Sequence, residues 1–142
     1  MFCSCFKRPN AGRLLLAMLA VAVFVFVFEW LFHGIYLADT YQATASLWRS
    51  QAEMEAHMGW MMGGQLLMAA VFSYLYSFVR TCGGIGGGAC YGLIVGLLMV
   101  SPQLITYAVQ PVPGSLVATW MIGGLIELIL AGMLVAAIYR HD

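Results

Sequence analysis

Hydrophobic positions fall into four long runs, from about Leu14 to Tyr36, Met58 to Val79, Ile85 to Ala108 and Leu116 to Tyr139. Each meets the roughly 20 mostly apolar residues that a tilted helix needs to cross about 30 Å of hydrocarbon. The third is the least sharply drawn, because Gly83-Gly84 and Gly86-Gly87-Gly88 blur its start and Pro102 interrupts its far end. The pattern predicts an all-α integral membrane protein, an antiparallel bundle of four transmembrane helices forming one membrane domain over 1–142. The predicted spans are 14–36, 51–79, 85–108 and 115–139, with an outer loop over 37–50. Lys7, Arg8 and Arg13 before the first run and Ala43-Thr44-Ala45 after it imitate a secretory signal. The run nevertheless exceeds the 7–15 apolar residues of a signal, which points to a retained span.

Composition agrees with the pattern. The chain of 142 residues is 63% hydrophobic and 8% charged, against about 25% charged in a soluble domain. A water-facing surface cannot be built from it. Six Lys/Arg balance six Asp/Glu, so no basic surface suggests nucleic acid, and the spans leave no room for a soluble catalytic domain. No HExxH or GxSxG motif occurs, and Gly83 to Gly88 lacks the Lys-Ser/Thr of a phosphate loop. An enzyme is therefore not expected.

The cations orient the chain. Lys7, Arg8, Arg13, Arg80 and Arg140 fall on one side of an even number of spans, and Arg49 alone on the other. The positive-inside rule then places both termini in the cytoplasm, with a bacterial plasma (inner) membrane as the expected home. Cys3, Cys5, Cys82 and Cys90 lie at or near the cytoplasmic face, where thiols stay reduced.

Local signals add detail. Ser50-Gln51-Ala52-Glu53 fits a capping box, so the second helix should start at Gln51 and project roughly 10 Å beyond the membrane at 1.5 Å per residue. Tyr36, Tyr41, Trp48 and Trp60 suit an outer interfacial belt. Gly84, Gly88, Gly92 and Gly96 recur every four residues, the spacing that lets another backbone approach closely. Their partner could be in this chain or in another subunit. Pro102 frees the carbonyl near Leu98, which must find a donor inside the membrane.

Candidate chemistry comes from polar groups inside the apolar runs. Glu29 and Glu127 lie at bilayer depth, and His33 is one turn beyond Glu29 on the same face. An acidic group at a helix centre costs about 2.5–3.5 kcal/mol on insertion scales and by default marks a functional site. Gln65 and Gln103 sit at comparable depths on the second and third helices. Together these residues suggest an outward-facing polar pocket for a proton, a metal ion or a small cationic solute. The bland alternative is that each carboxyl only satisfies local backbone or His33.

Met54, His57, Met58 and Met61 follow one helical face, and Cys3 and Cys5 offer thiols on the other side. Thioether and thiolate ligands select Cu(I) or another soft metal. Beyond the lipid bilayer, the expected partners are further copies of the chain or a larger membrane complex. The competing functional reading is a non-catalytic subunit or assembly factor that docks through the glycine-row helix.

Overall fold

The computed structural model describes residues 9–79 and 83–140. Among these there is no strand, and four helices are long and apolar enough to cross a membrane. Cys3, Cys5, Cys82, Lys7, Arg8 and Arg80 lie outside the described residues.

Helix α1 (Ala11–Glu29) begins three residues ahead of the predicted start, because Asn10 caps it. The Asn10 side chain accepts from the Arg13 amide at 3.1 Å, which satisfies one of the otherwise unpaired first-turn donors. After Glu29 the helix widens into a π-helical stretch, Trp30–Tyr36, with Leu37 N–H donating to the Phe32 carbonyl five residues back at 3.0 Å. A short helix α2 (Ala38–Ala43) and a 3₁₀ turn at Ala45–Leu47 follow.

The single helix expected over 51–79 is two helices, α3 (Gln51–Ala56) and α4 (Met58–Tyr76). Both halves of the capping box form at the start of α3. The break falls at His57, whose amide bonds both Glu53 and Met54 carbonyls. Its ring Nδ1 also reaches the Glu53 carbonyl, at 2.7 Å, and so competes for the helical ladder. The far end stops short of Val79 because Ser77 Oγ donates to the Tyr74 carbonyl at 2.6 Å.

Helices α5 (Gly84–Val109) and α6 (Gly114–Ile138) form the most extensive packing in the molecule. They run antiparallel, with Gly88 against Gly132, Gly92 against Leu128 and Gly124 against Val100. The Gly92 site shows why glycine is required there, since a Cβ would sit 2.8 Å from Ile129 Cα. The partner of the glycine row is thus α6 of the same chain. Gly84 departs from the expectation: it is exposed, has φ +68°, and a Cβ there would meet no described atom within 4 Å, so it starts the helix instead of packing it. The carbonyl released by Pro102 is taken locally, by Ser101 Oγ donating to Leu98 O at 2.8 Å.

Helix α1 packs on both α4 and α6. Ala17, Val21 and Val25 of α1, Ala69 and Phe72 of α4, and Ala131 and Val135 of α6 are buried together. Toward the terminal end, Tyr91 of α5 donates its hydroxyl to the Phe72 carbonyl at 2.6 Å, and its ring meets Tyr76 at a centroid distance of 5.2 Å. That polar-tipped aromatic cluster closes the terminal half of the molecule. The first half of α4, from Met58 to Leu67, is largely exposed.

Candidate functional site

Away from the termini, α1, its π-helical extension, α2, α4 (through Met68), α5 and α6 line a cleft of about 350 Å³. The widened helix matters locally. It starts directly after Glu29 and carries His33, and π turns recur where a helix must re-aim functional side chains.

Glu29, His33, Gln103 and Glu127 all line this cleft. Glu127 is 4% exposed, and its Oε1 has no hydrogen-bond partner. The Glu29 carboxyl lines the same cleft. Ionised carboxylates only accept, so two of them in one cleft can bond each other only through a proton on one. On its other side Glu29 Oε2 lies 3.4 Å from His33 Nε2.

The imidazole is held from behind. Trp120 Nε1 donates to the Tyr41 hydroxyl oxygen at 2.8 Å, and that hydroxyl meets His33 Nδ1 at 2.5 Å. Burial first of all holds the Tyr41 phenol above its ordinary range, although the Trp120 bond opposes this, so the hydroxyl stays protonated. An indole N–H can only donate. The arrangement that satisfies every member runs Trp120 to Tyr41, Tyr41 to His33 Nδ1, and His33 Nε2–H to Glu29. This ordering fixes the neutral imidazole in its Nε2–H tautomer, aimed at the carboxyl pair.

Aromatic rings form much of the remaining wall. Phe32, Tyr41 and Trp120 border the cleft together with Met68 and Met99. Phe32 reaches its place because Gly123 of α6 has no side chain: a Cβ there would overlap the ring. No Lys or Arg among the described residues borders the cleft.

Two groups of candidate residues fall elsewhere. Gln65 is half-buried on α4 and does not reach the cleft, because α4 packs mainly on α1. Met54, Met58 and Met61 are 43%, 41% and 55% exposed, and the break at His57 interrupts the single helical face they were expected to share. Among the described residues no three His, Cys, Asp or Glu side chains gather as a metal site.

Tyr41, Trp120 and Phe32 were not among the residues singled out for the pocket. By its position Tyr41 suits the interfacial belt, and its bond to Trp120 joins positions 79 apart in the chain. The one local hint was Gly123, a gap facing a phenylalanine-rich helix. Comparison with family models, with curated proteins and with solved structures returns no match.

Proposed function

We propose that this is a small multi-pass membrane protein that binds a proton or a small cation in competition at the Glu29–Glu127 pair, and carries them in exchange across the bilayer. The observation that carries the reading is Glu127 Oε1, enclosed and unpartnered, in the same cleft as a second carboxyl. A buried acceptor left unsatisfied costs about 1–3 kcal/mol. A purely structural role would remove that cost by giving the oxygen a donor, and the carbonyl that Pro102 frees at Leu98, which a protonated carboxyl could have capped, takes its donor from Ser101 instead. A carboxyl pair in one cleft has two ways to be neutralised, by a proton or by a bound cation. Competition between the two is the elementary step of exchange.

In this reading the helices form a four-span bundle with both termini in the cytoplasm, following the cation distribution. The cleft then faces outward, and the glycine-packed terminal half closes the inner side. The site is non-catalytic. The rival role, a subunit docking through the glycine row, loses support because α6 already covers Gly88, Gly92 and Gly96.

The test is cation-driven proton movement in vesicles reconstituted with purified protein. Glu127→Gln should fold to wild-type yield and lose the flux. Flux equal to wild type in that variant would end the proposal.

A further inference from the structure

We propose that the cation taken by this cleft is organic, an ammonium ion carrying apolar substituents, and not a bare metal ion. The inference rests on the reading of the Glu29–Glu127 pair as a cation site, and adds what the rest of the wall selects.

Size is the first argument. The cleft holds about 350 Å³, within the roughly 300–1,000 Å³ of small-molecule pockets and far above the share of about 30 Å³ that one water occupies. A bare ion would leave most of it to water. The second argument is the wall. Phe32, Tyr41 and Trp120 stand around the two carboxyls. An inorganic ion is held by oxygen ligands in number, whereas aromatic rings attract a cation through their quadrupole and suit alkylated ammonium groups in particular. Met68 and Met99 complete the apolar part of the wall, and thioether side chains adapt to irregular shapes. The third argument is charge. Two carboxyls with no described Lys or Arg beside them favour a cationic ligand and disfavour a zwitterion, whose anionic end would meet two carboxyls and no fixed cation. On binding, one organic cation enters and one proton leaves the carboxyl pair for solvent, so charge balances.

The experiment uses the full-length protein in detergent at low buffer strength. Tetraethylammonium chloride, sodium chloride and potassium chloride are added in turn, and proton release and tryptophan fluorescence are followed. Tetraethylammonium should bind saturably and release protons, while sodium and potassium should not at tenfold higher concentration. Trp120→Leu should weaken tetraethylammonium about thirtyfold, equivalent to the ~2 kcal/mol of a desolvated cation–π contact, and Trp120→Phe should recover most of the affinity. Phe32→Leu provides a second probe of the wall should Trp120→Leu fold poorly.

Proton release by sodium or potassium without tetraethylammonium would overturn the organic reading and leave the carboxyl site standing. Tetraethylammonium affinity unchanged in both Trp120→Leu and Phe32→Leu would overturn it as well. No binding or proton release with any of the three salts would remove this inference, and cation-driven flux in vesicles would then decide separately whether the carboxyl pair functions.

Discussion

An acceptor oxygen enclosed without a donor works against the fold that contains it, and Glu127 Oε1 is in that position. Met has nearly the length of Glu and no polar atom to leave unpaired. Glu127→Met should therefore raise the thermal unfolding midpoint in detergent, through relief of about 1–3 kcal/mol, while abolishing cation-dependent proton release. Circular dichroism against temperature reads the first effect. A lowered midpoint would mean that the carboxyl is holding the helices together. Glu29→Met should gain less, because Glu29 is 29% exposed and already faces His33. At this scale the candidate site was half legible in the chain. An acidic residue inside an apolar run is conspicuous because burial costs it so much, and Glu29 and His33 share a face by simple helical spacing. Tyr41 and Trp120 carry no such mark. An aromatic residue at a membrane boundary is ordinary, and nothing local shows that α2 folds back to place the Tyr41 hydroxyl against His33.

Among the elements, glycine spacing alone did not separate packed from free positions. Gly92 faces the Leu128 backbone, whereas Gly63 on α4 has nothing within 4 Å. Gly92→Ala should cost about 1–3 kcal/mol through overpacking. Gly63→Ala should be neutral or stabilise by up to about 1 kcal/mol from helix propensity. Thermal midpoints of the two variants make the comparison, and equal effects would contradict the packing described here. The number and approximate placement of the long helices followed from the apolar runs, yet the break at His57 did not, because it depends on a ring nitrogen reaching the Glu53 carbonyl. The cap beside it makes a pH prediction. The Ser50 side chain first, then its backbone amide, holds the Glu53 carboxyl below its ordinary value of 4.5. A carboxyl lowered in the folded state contributes stability that is complete above 4.5 and is lost as pH falls through the lowered value. Amide protection at Ser50 and Glu53 should accordingly fade only below pH 4.5. In Glu53→Gln it should be independent of pH across that range.

For the whole molecule, the decisive relation is how α1 seats on the α5–α6 hairpin. Glu29 and His33 arrive on one body, Glu127 and Gln103 on the other, so the cleft exists only while the two are docked in register. The docking key at this end is Phe32, whose ring occupies the space a Gly123 side chain would need. A methyl at Gly123 must push that ring aside, and the ring lies three residues from Glu29 on the same helical segment. Gly123→Ala should therefore leave the α5–α6 packing intact, since Gly88, Gly92 and Gly132 are untouched. It should still lower cation-dependent proton release at least tenfold, the order of a ~1.4 kcal/mol disturbance. Truncating the key should reverse the loss: at saturating cation, where a weaker wall no longer limits binding, Phe32→Leu/Gly123→Ala should release more protons than Gly123→Ala alone, because the smaller side chain makes room for the methyl. Two neighbouring changes that compensate in this way give a non-additive cycle. If the double variant were no better than the single one, Phe32 would not be what couples the seating of α1 to the geometry of the carboxyl pair.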